Sequence, residues 1–334
     1  MAIKKVAING FGRIGRLTFR NLLKRKGIKV VAINDLTDNA TLAHLLKYDS
    51  AQGTFDGAVS STEDTLIVKG KKIKAFSERN PENLPWEKLG VDLVLECTGV
   101  FRTKEKAGLH LKAGAKDVII SAPAKSEGVQ TIVLGVNDKD LDRRKNVFSN
   151  ASCTTNCLAP VAKILDDNWG IKVGSMTTTH AYTSDQRIQD APHRDLRRAR
   201  AAAMNIVPTS TGAATAVGKV VPSVKGKLSA ISLRVPTVTG SLIEVNVMVK
   251  KKTTVAEINK VFKKMAEGKM KGILEYQTDP IVSSDIIRNP HSSIFDSLMT
   301  TVIGGNFVKV VSWYDNEAGY SARLADLAAL ILKV

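Results

Sequence analysis

The start of the chain leaves few folds open to it. Residues 3–8, Ile3-Lys4-Lys5-Val6-Ala7-Ile8, read as a strand, and Gly10, Gly12 and Gly15 follow in the spacing G-x-G-x-x-G. Residues 13–26 read as a helix and residues 28–34 as a second strand, which runs into Asp35, about 20 residues beyond the glycines. The glycines let the backbone turn tightly and approach a pyrophosphate, whose charge then rests on the helix N-terminus. Asp35 can accept hydrogen bonds from a ribose diol. Glycine-rich turns also occur in other α/β units. Here strand, helix, second strand and acid all stand in the order that dinucleotide binding needs.

The pattern continues. Residues 65–68, 72–76, 93–97 and 117–121 read as strands, and 131–135 and 146–150 complete the set. Up to about residue 150 the chain predicts a Rossmann-type, doubly wound, mostly parallel sheet. Beyond it the texture changes. Residues 240–249 alternate with period two, as a half-solvated antiparallel strand should, and 227–235 and 307–313 look similar. One amphipathic helix, 255–265, sets Ile258, Val261, Phe262 and Met265 on a single face. A second, α+β domain with a mainly antiparallel sheet is expected. The Ala- and Leu-rich helix 321–332 is expected to pack back on another element. The expected division is 1–151 with 316–334, and 152–315.

A cysteine stands where the two textures meet. Ser149-Asn150-Ala151-Ser152-Cys153-Thr154-Thr155-Asn156-Cys157 is followed by residues 158–165, which read as helix. Unpaired N–H groups and the helix dipole at such a start favour negative charge, so the Cys153 thiol is expected to ionise more readily there. The residues alone leave two readings open, a reactive thiol or a buried small hydrophobe. Cys97 falls in a buried-strand pattern and is expected to be inert.

A chain of 334 residues has room for two domains, and 43% apolar with 24% charged residues is ordinary for a soluble globular protein. No apolar run reaches the ~20 residues of a membrane span. The N-terminus passes straight into a strand without a leader-type apolar region, and the three cysteines are few and odd in number. Both point to a reducing, cytoplasmic setting. Cys153 and Cys157 lack two further ligands at zinc-site spacing, so no metal is expected. The net charge of +17 points to anionic partners. With only 5% aromatic residues to stack on bases, nucleic acid is at most a secondary partner.

In these motifs the chain resembles the phosphorylating glyceraldehyde-3-phosphate dehydrogenases of the bacterial and eukaryotic type. The resemblance runs through Asn9-Gly10-Phe11-Gly12-Arg13-Ile14-Gly15-Arg16, residues 149–157, and His180-Ala181-Tyr182-Thr183. It continues through 195–203, Pro208-Thr209-Ser210-Thr211-Gly212-Ala213-Ala214, Leu233-Arg234-Val235-Pro236 and Trp313-Tyr314-Asp315-Asn316-Glu317. It implies that Cys153 attacks the aldehyde of glyceraldehyde 3-phosphate, that His180 acts as base, and that inorganic phosphate discharges the resulting thioester. It further implies that Thr183 and Arg234 hold the substrate phosphate. Ser152, Thr154, Thr211 and Gly212 would hold the attacking phosphate, with Arg198 near both.

For the cofactor, NAD, the resemblance implies contacts from Gly10, Phe11, Gly12, Arg13, Ile14, Asp35, Arg79, Thr98, Ser121 and Asn316. An anionic Asp35 disfavours a 2′-phosphate, and Leu36 and Pro192 agree with the NAD-type pattern. Ala191 departs from it, as does Ala318, where the family usually has an aromatic residue. A homotetramer is implied, with residues 185–204 near cofactor and subunit contact. The related erythrose-4-phosphate dehydrogenases share the cysteine segment but discharge the thioester to water. They usually lack the Thr-Gly pair and the threonine found here at Thr211-Gly212 and Thr183.

Overall fold

The structure, a computed structural model, describes residues 2–334. The chain forms two compact units. The first comprises the described residues up to Ile132, Lys139–Ala151 and Ser321–Val334; the second comprises Val133–Asp138 and Ser152–Tyr320.

The first unit opens with β1 (Lys4–Asn9), α1 (Arg13–Leu22), β2 (Ile28–Asn34) and α2 (Asn39–Lys47). β3 (Val59–Ser61), β4 (Thr65–Val68) and β5 (Lys71–Phe76) follow, then α3 (Trp86–Leu89) and β6 (Leu93–Glu96). The single turns α4 (Lys104–Ala107) and α5 (Leu109–Lys112) lead to β7 (Asp117–Ile120), β8 (Gln130–Thr131) and β9 (Val147–Ser149). One sheet holds all nine strands in the order β3-β4-β5-β2-β1-β6-β7-β9-β8. Every pair from β5 across to β8 is parallel. The strand order reverses between β1 and β6, and a sheet of this kind opens a ligand crevice at the carboxyl ends of those strands. Alternate residues serve the two faces: Ala7, Ala32, Val94, Val118 and Ile120 join Trp86 in one buried cluster.

α1 stops at Leu22, four residues before the expected end. Lys24 and Arg25 donate three residues back, and Gly27 turns the chain at φ +78°. The fingerprint glycines have steric reasons. Gly10 has φ +89°, and a Cβ at Gly15 would lie 2.1 Å from the Gly10 carbonyl oxygen. Gly15→Ala must therefore push α1 off β1. The expected outcome is a loss of about 1–3 kcal/mol in denaturant unfolding, with weaker NAD binding.

The second unit starts on α6 (Cys153–Trp169), followed by β10 (Ile171–Ala181), β11 (Val207–Ser210), α7 (Ala213–Val220), β12 (Leu228–Val235) and β13 (Ser241–Val249). α8 (Val255–Glu267), β14 (Leu274–Gln277), β15 (Ser293–Ile303) and β16 (Phe307–Tyr314) complete it. The strand order is β11-β12-β10-β13-β16-β15-β14, antiparallel except for β10–β12 and β14–β15. The alternation in β13 turns Ile243, Val245, Val247 and Val249 into the core. α8 is closed by a Thr254–Glu257 capping box and buries Ile258, Phe262 and Ala266, while Val261 and Met265 are half-buried. Phe262 stacks on Phe295 of β15 at 3.9 Å. In the last helix, α9 (Ala318–Leu332), the residues from Ser321 onward cluster with the first unit, where Asp326 pairs with Arg25.

Candidate active site

In the first unit, a cavity of about 420 Å³ lies at the carboxyl ends of β1, β2 and β6. Its lining includes Gly10, Gly12, Asp35, Arg79 and Thr98 from the expected set, with Asn9, Asn34 and Glu78 beside them. Gly12 caps α1 without a side-chain hydrogen bond, and no acidic side chain occupies the first turn. That arrangement suits an anion at the helix start. The Asp35 carboxylate accepts the Phe11 N–H at 2.7 Å and the Thr37 N–H at 3.0 Å, which aims it at the cavity mouth. Phe11 offers only its backbone, since its ring is fully buried edge-on to Phe19. Arg13 is tied to Asp49 at 2.6 Å. Ile14, half-buried, and Ser121 lie outside the lining. Cys97 lines the same cavity rather than a closed strand interior, and desolvation pushes its thiol up to about 12.

In the second unit the sheet register assembles the chemistry. β10 and β12 run parallel with His180 opposite Arg234. Ser152 caps α6, accepting the Thr155 N–H, and so sets Cys153 on the first turn. The Cys153 Sγ lies 3.4 Å from His180 Nε2. His180 Nδ1 sits 2.6 Å from the Ala181 carbonyl oxygen, and Arg234 Nη1 reaches the same oxygen at 3.2 Å. Arg234 Nη1, a donor, also lies 2.9 Å from Nδ1. In the tautomer that carries its proton on Nδ1, shared with the Ala181 carbonyl, the Nε2 lone pair faces the sulfur. Tyr314 packs edge-on to the imidazole, and its hydroxyl joins Thr154 and Thr178, each at 2.9 Å.

The electrostatics correct one expectation. Burial pushes the Cys153 thiol up rather than down; the Arg234 charge and the Thr154 N–H pull the other way without reversing it. Burial, followed by the Arg234 charge, pushes His180 down to about 3. The helix start alone is therefore not enough. Burial disfavours the charged form of both partners.

Of the other expected ligands, Arg198 acts electrostatically on His180. Arg198 bonds Thr209 Oγ1 at 2.9 Å and Asp185. Thr211 Oγ1 accepts the Ala213 N–H at 3.2 Å, and Gly212 caps α7. Thr183 is half-buried just past the end of β10. The Arg234 Nε is buried without a protein partner, as an arginine poised for an anion would be. Asn316 Oδ1 accepts from Ser241 Oγ at 2.9 Å and from the Gly240 N–H at 3.2 Å, which leaves its N–H₂ to donate elsewhere. Sequence reasoning gave no role to Tyr314 or Ser241. Both stand inside or beside quoted motifs, but their partners lie far away in sequence.

A dinucleotide-type sheet together with a thiol–imidazole pair defines the class: an NAD-dependent oxidoreductase. Residues 4–104 match the family model described as the glyceraldehyde 3-phosphate dehydrogenase NAD binding domain, and residues 152–316 match that of the C-terminal domain. A glyceraldehyde-3-phosphate dehydrogenase of Thermotoga maritima is 60% identical over 332 residues, covering 99% of each chain. Those of Mycobacterium avium and Borreliella burgdorferi are 60% and 58% identical, covering 98% of this chain and 98% and 100% of theirs. The chain belongs to the glyceraldehyde-3-phosphate dehydrogenase family. Among the described residues, no helix is long and apolar enough to cross a membrane.

Proposed function

We propose that this chain oxidises and phosphorylates D-glyceraldehyde 3-phosphate to 1,3-bisphosphoglycerate through an acyl group carried on Cys153. The observation that carries this is the 3.4 Å contact between Cys153 Sγ and His180 Nε2. As the sulfur attacks the aldehyde carbon, Nε2 takes the thiol proton and the new oxyanion is stabilised by the imidazolium. The oxyanion takes that proton to give the hemithioacetal. NAD, when bound, accepts the hydride. His180 removes the hydroxyl proton in the same step, and a thioester remains. Phosphate oxygen then attacks the acyl carbon and the thiolate leaves.

Burial and the Arg234 charge both oppose an imidazolium. An anion seated on Arg234 offsets the second of these, so a phosphorylated substrate prepares its own base. Thr183 completes that site. Ser152, Thr211 and Gly212 form the second anion site, with Arg198 between the two. Thr154 joins that second site only by exchanging Tyr314 for phosphate, since its hydroxyl is engaged there. Arg13, Ile14, Asp35, Arg79, Thr98 and Ser121 serve the dinucleotide, and the Asn316 amide serves its carboxamide. The first unit acts as the NAD-binding domain and the second, which includes residues 316–320, as the catalytic domain. The enzyme works in the cytoplasm as a homotetramer. Support for the assembly is the apolar exposure in and beside residues 185–204, where Ile188 is 87% and Met204 85% exposed. Polyanion binding at low salt is a secondary property of the +17 charge.

The test is the phosphate dependence of NADH formation from glyceraldehyde 3-phosphate. A steep rise with phosphate or arsenate is expected. A rate indifferent to both would favour discharge to water, as in erythrose-4-phosphate dehydrogenase.

A further inference from the structure

Three neighbouring strands of the first unit end on polar side chains at equivalent positions. Asn9 pairs in register with Asn34 on one side and with Glu96 on the other. All three are at least 96% buried. They form a continuous belt. Asn34 Nδ2 donates to Asn9 Oδ1 at 2.7 Å, and Asn9 Nδ2 donates to Glu96 Oε2 at 2.6 Å. His110 Nε2 reaches the same carboxylate oxygen at 3.0 Å. The other oxygen, Oε1, accepts the Thr98 N–H at 2.8 Å and the Thr98 hydroxyl. At the far end, Asn34 holds the Glu78 backbone, accepting its N–H at 2.8 Å and donating to its carbonyl at 2.9 Å.

The protons in this belt can be placed. An indole N–H only donates, and Trp86 Nε1 lies 3.0 Å from His110 Nδ1, so Nδ1 carries the lone pair. The His110 proton therefore sits on Nε2, aimed at Glu96. The Thr98 hydroxyl accepts the Val100 N–H at 3.1 Å and has its own proton left for Glu96. Each carboxylate oxygen thus receives two donors, and no face of the carboxyl is open to a proton. Glu96 is enclosed by four donors.

Asn9, Asn34, Glu78, Thr98 and Val100 line the dinucleotide cavity; Glu96, His110 and Trp86 do not. We propose that Glu96 is the positioning residue of that cavity, fixing two of its walls at once, and that the Trp86–His110 pair keeps it in place by locking one tautomer. One wall is the Thr98–Val100 turn; the other, reached through Asn9 and Asn34, is the segment at Glu78. A buried carboxylate is costly, and an amide would be the cheaper group. Whichever way a glutamine turned, however, its N–H₂ would meet the Thr98 N–H or the two donors from Asn9 and His110. The inference rests on the assignment of NAD to this cavity.

The experiment measures NAD affinity, KM for NAD, kcat and thermal unfolding in the full-length chain carrying Glu96→Gln, Trp86→Phe or Asp35→Ala. Glu96→Gln is expected to raise the NAD Kd and KM at least tenfold, with the loss concentrated in KM rather than kcat. Trp86→Phe keeps the shape of the core but frees His110 to invert its tautomer, and is expected to raise the same KM about threefold. Unchanged NAD affinity in folded Glu96→Gln overturns the proposal. If that variant does not fold, unchanged affinity in Trp86→Phe overturns it. Asp35→Ala separates the two readings. Lost affinity there, with none lost in the other variants, keeps the cavity and removes the positioning role. No loss in Asp35→Ala removes the cavity assignment and the inference with it.

Discussion

Cys153→Ser is expected to lower kcat by about four orders of magnitude or more while leaving NAD binding intact. The substitution keeps the hydrogen bond to His180 Nε2 possible and changes the fold least. It replaces sulfur with a hydroxyl whose proton a neutral, strongly depressed imidazole cannot draw off. It also replaces a thioester, a good acyl donor to phosphate, with an ester, which is a poor one. Single-turnover NADH formation separates the two losses, because the first step produces NADH without phosphate. NAD titration monitored by fluorescence provides the control. Retained turnover would overturn the covalent route.

His180→Asn carries the second large effect, a fall in kcat of about 10²–10⁴. It also has a signature in stability. His180 is held neutral in the folded chain, with its pKa pushed from 6.5 down to about 3. Between those values the unfolded chain binds a proton that the folded chain refuses. The folded state is therefore favoured above pH 6.5 and loses that advantage as pH falls toward 3, at up to about 1.4 kcal/mol per pH unit. Asparagine removes the term, so the variant should lose stability less steeply in that window. Urea midpoints at a series of pH values check the slope.

Much of this was legible in local pattern. The βαβ unit was readable because helix and strand periods alternate cleanly there and each glycine answers a backbone need within a few residues. The alternation of β13 was readable for the same reason. β10 was not, because its run Ser175-Met176-Thr177-Thr178-Thr179 puts polar residues on both faces, and Thr178 is buried only because Leu242 and Tyr314 accept its company. The pairing of Cys153 with His180 entered through family resemblance alone, since the contact spans 27 residues. The raised thiol pKa was invisible, because the helix start is a local feature and desolvation depends on the packed surroundings. The Glu96 belt was invisible too. A lone acid closing the apolar run Leu93-Val94-Leu95 hinted at it, but its partners are set by strand register.

That dependence on register has a consequence for how such a chain can vary over time. β10 and β12 pair without a break from Gly174 opposite Leu228 to Ala181 opposite Val235, and His180 faces Arg234 near the end of that ladder. Inserting or deleting one residue in either strand would turn the imidazole or the guanidinium to the opposite face of the sheet. Side chains along this pair can drift, but the two strand lengths cannot change independently. Indels in any descendant of this sequence should therefore collect in the loops that flank the pair, and spare the strands themselves.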